Sequence, residues 1–179
     1  MIIRYAILGF LSWRALSGYD LKKLFASAYF LPWSGNNNQI YTTLVQLHKD
    51  GLVTNEIDHQ ARGPSRKIYT ITEAGRQALQ AWLVGEPELP QLRHPFFLQL
   101  AWADQLAADE LDELLANYVA AMQTQLLMAQ EQRRRKELDP ARTARESLLW
   151  QSIADHWIDF YAAEVAWVER LRTFLSVQE

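Results

Sequence analysis

The chain contains no cysteine among its 179 residues, which excludes disulfides and thiolate metal sites. It also lacks an apolar run long enough to cross a bilayer, because the opening apolar stretch, residues 2–11, is too short. That stretch carries one charge, Arg4, and no small-residue cleavage site follows it. We therefore expect no signal peptide and a cytoplasmic location.

Signatures of catalysis are missing as well. There is no phosphate-binding loop, no glycine-rich dinucleotide fingerprint and no serine in a nucleophile-elbow setting. The histidines, His48, His59, His94 and His156, are scattered, and His156 with Asp159 would supply only two ligands to a metal. The sequence therefore predicts a protein that is not an enzyme and holds no metal or cofactor.

The charge is divided unevenly along the chain. Composition is typical of a globular protein, with 49% hydrophobic and 22% charged residues and a net charge of −3. Residues 1–85 contain nine Lys/Arg and five Asp/Glu, whereas residues 86–179 contain nine Lys/Arg and sixteen Asp/Glu. Two prolines and a glycine at residues 85–90 indicate a linker between the halves. A basic half suits phosphate contact, and an acidic half can serve as a solvated scaffold.

Apolar residues at helical spacing predict three helices within residues 3–50. Ser17 and Asp20 form a variant of the capping box at the start of the second helix. The third helix is expected over about residues 38–50, and Gly51 ends it.

A hairpin and a fourth helix are predicted next. Residues 52–58 and 66–71 have the composition of strands and flank a flexible basic turn at residues 59–65. Thr72 caps a helix that runs to about Trp82. This order predicts a mainly α protein whose residues 1–85 form a winged helix-turn-helix with a two-strand wing.

The second half, residues 91–179, is predicted to be an all-helical dimerisation domain. Its last helix, from Thr143 to about Ser176, carries apolar residues at three- and four-residue steps, and only Glu164 interrupts that register. Such a seam needs a partner helix. An intramolecular hairpin is one solution, and packing across a twofold axis is the one we favour. The expected interface residues are Trp150, Ile153, Trp157, Phe160, Trp167, Leu171 and Phe174.

The third helix has the composition of a recognition helix. Short polar side chains near its start can reach base edges in the major groove, where amides pair with adenine and threonine methyls meet thymine. We expect Gln39, Thr43 and Gln46 on its exposed side. Asn36 and Asn37 could instead serve only as a loop and helix cap. The expected base contacts are Asn36, Asn37, Asn38, Gln39, Thr42, Thr43 and Gln46.

Basic residues flank that helix on both sides. Lys22 and Lys23, on the second helix, could contact the DNA backbone, although two surface lysines are equally consistent with ordinary solvation. Wing residues can contact the adjacent backbone or enter the minor groove, which supplies salt-dependent affinity. The expected wing contacts are Arg62, Ser65, Arg66 and Lys67.

Five segments of the first half resemble the PadR family of bacterial regulators in order and spacing, over most of residues 3–83. They are residues 7–12 (ILGFLS), 17–23 (SGYDLKK), 40–44 (IYTTL), 50–53 (DGLV) and 69–76 (YTITEAGR). The second half is similar in layout to the larger PadR-like proteins, which include a regulator of virulence genes.

The resemblance implies a homodimer held by its C-terminal helices, with two wings that reach a palindromic site on double-stranded DNA. Family members are commonly repressors, and some are activators. Tyr19 and Tyr41 match family tyrosines, which adds them to the expected DNA-binding residues. Thr42 stands where many relatives have proline, and Asn38-Gln39 where they often have Gly-Ser, so we expect an unusual operator. The sequence His94-Pro95-Phe96 replaces a commoner acidic one.

The resemblance also allows an aromatic small-molecule effector, such as a phenolic acid or a planar drug, bound between the halves or at the dimer centre. Seven tryptophans are available, although aromatic stripes are more often core or interface than ligand site. The candidate effector residues are Phe97, Trp102, His156 and Trp157. An alternative function is a winged-helix module that binds another protein instead of DNA, and the basic wing argues against it.

Overall fold

The computed structural model forms two compact units, Met1–Glu88 and Leu89–Glu179. The residues that it describes are 2–28, 37–58, 65–90, 93–135 and 141–177. No helix in these ranges is both long enough and apolar enough to span a membrane.

The first unit has the predicted order of three helices, a hairpin and a fourth helix. Its elements are α1 (Ile3–Trp13), β1 (Leu16–Ser17), α2 (Gly18–Ser27), α3 (Asn37–Lys49), β2 (Val53–Asp58), β3 (Arg66–Ile71) and α4 (Glu73–Leu83). The winged-helix prediction is confirmed, but the sheet has three antiparallel strands in the order β1-β3-β2 rather than two. The extra strand β1 pairs Leu16 with Tyr69 and Ser17 with Ile68. Two residues are too short a run to show strand alternation in a sequence.

Local hydrogen bonds explain where these helices begin and end. The Ser17 hydroxyl accepts from the backbone N–H of Asp20, and the Asp20 carboxylate accepts from the N–H of Ser17, which completes the predicted capping box. Thr72 caps α4 by accepting from the N–H of Gly75, and its hydroxyl donates to the carbonyl of Gly51. Gly51 has a φ of 72°, a left-handed conformation that lets the chain leave α3 abruptly and enter β2.

The core of the first unit lies between α1, α2, α3 and the sheet. Removal of the apolar side chains of this core from water is the main contribution to the stability of the unit. The fully enclosed residues are Ile3, Ile7, Leu8, Leu11, Leu21, Ile40, Leu44, Leu47 and Val53.

The second unit is helical, as predicted. Its elements are α5 (Pro95–Ala101), a short 3-10 helix (Ala103–Gln105), α6 (Ala108–Arg135) and α7 (Ala144–Ser176). The α7 helix begins after Thr143, whose hydroxyl accepts from the N–H of Glu146. The two long helices pack antiparallel, because Asp112 near the start of α6 pairs with Arg172 near the end of α7.

The antiparallel pair of α6 and α7 is a helical hairpin, and it covers part of the apolar seam of α7. The buried cluster contains Phe96, Leu115, Val119 and Val168, and both Trp167 and Leu171 pack against it. These two residues, which are also expected at the interface with a second copy, are half-buried and pack against the core of their own unit. The intramolecular hairpin, the alternative left open by the sequence, is present in the structure.

Candidate nucleic-acid interface

Helix α3 divides into a buried face and an exposed face. Its apolar residues Ile40, Leu44 and Leu47 point into the core. The opposite side presents Asn38, Gln39, Tyr41, Thr42 and Gln46 to solvent. Polar and amide side chains on the exposed face of the helix that precedes the wing are the arrangement that base-edge contact in the major groove requires.

Thr43 does not belong to that face. Its side chain is only 5% exposed, so the expectation that it reaches DNA is wrong. Residues 40, 43, 44 and 47 follow the three- and four-residue steps of one helical stripe, and that stripe faces the core. A threonine is small enough to be accommodated there.

Two of the exposed polar residues already make hydrogen bonds. The Thr42 hydroxyl donates to the carbonyl of Asn38 at 2.8 Å. The Gln46 side-chain amide donates to Asp50 at 2.7 Å, and Asp50 also accepts from Arg4. The structure thereby orients Gln46 along the helix surface. Three expected contacts cannot be placed: Asn36 and Arg62 lie outside the described residues, and only the backbone of Asn37 is described.

A cleft of about 510 Å³ lies between the start of α2, the side of α3 and the loop end of strand β3. It brings together five expected DNA-binding residues, Tyr19, Tyr41, Ser65, Arg66 and Lys67. Three further residues complete its lining, and the sequence did not single them out for DNA contact: Ser17, Gly18 and Tyr69.

Gly18 allows α2 and α3 to approach closely at this cleft. A Cβ built on Gly18 would lie 2.4 Å from Cε1 of Tyr41, much closer than any normal contact. Glycine at this position is therefore required for the Tyr41 ring to occupy its place. The signal was available in the sequence as the Ser17-Gly18-Tyr19-Asp20 motif, where the capping pattern explained only Ser17 and Asp20.

The basic residues of the wing differ in their surroundings. Arg66 donates from Nε to Asp58 at 3.0 Å, and its NH1 atom lies 4.0 Å from Asp20. Lys67 is exposed and has no ion pair among the residues that the structure describes. Of the two described wing cations, the ammonium of Lys67 is therefore the one that is available to an incoming anion.

On α2, the two lysines are exposed, as expected, and Tyr19, which could have been partly core, is exposed as well. The Lys23 ammonium lies 4.5 Å from the centre of the Tyr19 ring, a cation–π contact that holds the charge near the cleft. Lys22 is also exposed.

Burial and charge affect two titratable groups at the cleft. Burial raises the pKa of the Tyr69 phenol, with a smaller contribution from Tyr41, so Tyr69 remains a neutral hydroxyl near neutral pH. Burial would also raise the pKa of Asp20, but hydrogen bonds from Ser17 and the charge of Arg66 outweigh it and lower that pKa. Asp20 is consequently a carboxylate over the whole neutral range.

The second unit contains a polar cluster that sequence analysis did not identify. Tyr118 donates to Glu164 at 2.7 Å, and His94 Nε2 lies 3.4 Å from the same carboxylate oxygen. The Nδ1 atom of His94 is buried and has no hydrogen-bond partner among the described residues. The interruption of the apolar register at Glu164 was its only trace in the sequence.

The four expected effector residues do not form one group within a chain. Phe97 stacks on His94 with ring centres 3.7 Å apart and contacts Trp167 edge to face. His156 and Trp157 contact each other on α7. Ten residues of helix separate Trp157 from Trp167, a rise of about 15 Å. Trp102, at the end of α5, is mostly exposed.

The remaining expected interface residues are open to solvent to different degrees. Trp150, Trp157 and Phe160 are half-buried, whereas Ile153 and Phe174 are exposed. Two exposed leucines of α7 that the sequence did not single out, Leu148 and Leu149, add to this apolar surface. Among the described residues, no group of three potential ligands is placed to hold a metal ion.

Two family models match the chain, one for each half. Residues 7–81 match the transcriptional regulator PadR-like family, and residues 92–176 match the C-terminal domain of the virulence activator alpha group.

Individual relatives are similar in both sequence and structure. The negative transcriptional regulator PadR of Bacillus subtilis is 31% identical over 126 residues, which cover 70% of this chain and 69% of that protein. A crystal structure of Bacillus subtilis PadR in complex with operator DNA has a TM-score of 0.86 at 24% identity, and it covers 97% of this chain and 99% of the other. The structure of the same PadR in complex with p-coumaric acid has a TM-score of 0.81, 24% identity and coverage of 98% and 99%.

Proposed function

The chain belongs to the PadR-like family of transcriptional regulators, and from that premise we propose that it is a sequence-specific DNA-binding repressor that acts as a homodimer. Residues 1–85 bind the operator, and residues 91–179 form the dimer. The protein works in the cytoplasm and catalyses no reaction. The observation that carries the proposal is the continuity of two surfaces through Tyr41, which belongs both to the exposed face of α3 and to the cleft beside the wing.

Helix α3 reads bases in this proposal. Gln39 and Asn38, in its first turn, can pair with adenine through their amides, and Thr42 can contact a thymine methyl. Gln46 lies two turns further along the helix. Asn36 and Asn37 precede or begin α3 and complete the set of candidates.

The cleft holds the DNA backbone. The Lys67 ammonium and the Tyr41 hydroxyl offer a charge and a donor to one phosphate, with Ser65 beside them. Lys22, Lys23 and Tyr19 extend the surface along α2, and Arg62, which lies outside the described residues, is a further candidate contact. These contacts set register and affinity rather than sequence preference.

The dimer forms through the apolar surface of α7. Leu148, Leu149 and Ile153 are exposed along one part of that helix, and aqueous exposure of so many large apolar side chains is unfavourable. A second copy that packs its own α7 against this surface would bury them, together with Trp150, Trp157, Phe160 and Phe174. Twofold symmetry would then match a palindromic operator.

An aromatic effector regulates DNA binding in this proposal. The support is the relative that binds p-coumaric acid, together with two groups of aromatic residues in the second unit. One group is Phe97 beside His94 and Trp167, and the other is His156 with Trp157. Trp102 is exposed and could reach an effector from a third position.

The experiment is a titration of labelled duplex DNA from upstream of its own gene, followed by fluorescence anisotropy over a series of salt concentrations. A scrambled duplex of the same length serves as the control. We expect tight binding that depends on sequence, weakens steeply with salt and saturates at two protomers per site. Flat traces with every duplex at low salt would overturn the proposal and favour the protein-interaction module.

A further inference from the structure

Arg66, at the start of strand β3, lies between two carboxylates. Its Nε atom donates to Asp58 at 3.0 Å, and Asp58 is the residue directly opposite Arg66 in the β2–β3 pairing. Its NH1 atom lies 4.0 Å from Oδ2 of Asp20 in the first turn of α2. The guanidinium therefore joins the loop end of the β2–β3 hairpin to helix α2.

The network continues from Asp20 into the sheet. The backbone N–H and the hydroxyl of Ser17 both donate to Oδ2 of Asp20, at 3.0 and 2.7 Å. Ser17 in turn pairs with Ile68 of strand β3. The interactions from Asp58 through Arg66 and Asp20 to Ser17 thus include a residue from each strand of the sheet and the start of α2.

Lys67, the next residue along β3, has different surroundings. Successive residues of a strand face opposite sides, so Lys67 lies on the same side as Tyr69, although Arg66 and Lys67 both line the cleft and differ in their ion pairs. No ion pair engages Lys67 within the described part of the chain. A cation without a partner gains more from a phosphate than one that must first leave two carboxylates.

We propose that Arg66 is a positioning residue for DNA binding, which holds the wing against α2 through Asp58 and Asp20, while Lys67 makes the phosphate contact. This assignment rests on the proposed function. It also replaces the expectation from the sequence that Arg66 and Lys67 act alike on the DNA backbone.

The salt dependence of binding separates the two roles. We would compare Arg66→Gln and Lys67→Gln with the unaltered protein on the duplex from upstream of its own gene, by anisotropy over a salt series. The plot of log K against log salt has a negative slope, and loss of one phosphate contact makes that slope less steep by about 0.9. This is the result expected for Lys67→Gln. Arg66→Gln should weaken binding about two- to fivefold, as loss of an exposed ion pair predicts, with the slope unchanged. A slope that becomes less steep by the same amount in both variants would overturn the assignment.

A double-mutant cycle tests whether Arg66 acts through Asp58. Arg66→Gln should cost less affinity in an Asp58→Asn background than in the unaltered protein, because part of the positioning interaction is already absent there. An equal cost in both backgrounds would overturn the assignment.

Hydrogen exchange of the free protein gives a test without DNA. The backbone N–H of Ser17 donates to Asp20, so Arg66→Gln should speed its exchange, whereas Lys67→Gln should leave it unchanged. Unchanged exchange in Arg66→Gln would overturn the positioning role. Failure of the unaltered protein to bind any duplex is a different result, which would overturn the proposed function and with it the role of Lys67.

Discussion

Glu164 of helix α7 accepts a hydrogen bond of 2.7 Å from the hydroxyl of Tyr118 on helix α6. The Tyr118 ring stacks on Phe96 with ring centres 3.7 Å apart, so the carboxylate lies beside an aromatic core. A carboxylate in such surroundings is costly unless its oxygens are paired. The Tyr118 hydroxyl pairs with one of those oxygens, and the His94 ring lies 3.4 Å from the same atom, so this hydrogen bond joins the two long helices.

We expect Tyr118→Phe to lower the free energy of unfolding by about 1–3 kcal/mol, because it removes a donor from a largely buried carboxylate and keeps the ring. Urea unfolding at neutral pH, followed by circular dichroism, measures the change. Tyr19→Phe is the matched control, since Tyr19 is 57% exposed. Loss of its hydroxyl should change the free energy of unfolding by less than about 0.5 kcal/mol. Equal effects of the two substitutions would contradict the importance of the Tyr118–Glu164 bond.

The same hydroxyl should make the protein sensitive to alkali. Burial raises the pKa of Tyr118 well above its ordinary value, and the hydrogen bond and charge of Glu164 raise it further. The folded-state pKa lies above the unfolded one, so the stabilising contribution is complete below about pH 10 and is lost as the pH rises towards the folded pKa. The free energy of unfolding should therefore fall more steeply above pH 10 in the unaltered protein than in Tyr118→Phe. Urea unfolding across that range checks this, and parallel curves would count against it.

Two glycines allow opposite predictions for the same substitution. Gly18→Ala should cost about 1–3 kcal/mol of stability and weaken DNA binding, because the new methyl group displaces Tyr41 from the cleft. Gly9→Ala, within α1, places its methyl group where nothing lies within 4 Å, and it should raise stability by about 0.5–1 kcal/mol with DNA binding unchanged. Thermal unfolding and anisotropy measure both. If Gly9→Ala lowered the stability, the prediction that the space beside Gly9 can hold a methyl group would be wrong.

The exposed face of α3 should carry sequence preference. Gln39→Ala should reduce the affinity ratio between the upstream duplex and the scrambled duplex by roughly 5- to 150-fold, since one amide–base pair is worth roughly 1–3 kcal/mol of discrimination. Thr43→Val, a substitution of similar shape at the buried position, should leave that ratio unchanged. Competition anisotropy with both duplexes gives the ratio. If Thr43→Val shifts it and Gln39→Ala does not, the assignment of the helix faces is wrong.

The sequence was informative wherever one local pattern determines the structure. The caps at Ser17 and Thr72 follow from short side chains that accept a backbone N–H, and the structure contains both. The family motifs predicted the winged helix from the order of its segments. Strand β1 was missed because its two residues are held by their partner in β3 rather than by any pattern of their own.

Contacts between distant residues could not be predicted in the same way. Thr43 was assigned to the exposed face from its polarity, although its position within α3 places it on the buried stripe. Glu164 was recognised as an interruption, but its partner Tyr118 lies 46 positions earlier. Arg66 was considered as a cation alone, and its two carboxylate partners became visible only when the strands were paired.

The hydrogen bond from Gln46 to Asp50 has a consequence for how the operator tolerates change. One N–H of the Gln46 amide donates to Asp50 at 2.7 Å, which leaves its second N–H and its Oε1 to meet a base edge in the orientation that this bond fixes. If Gln46 reads a base, the carboxylate of Asp50 therefore sets how exactingly it does so, and Asp50→Ala should relax the operator's sequence requirement at that base pair.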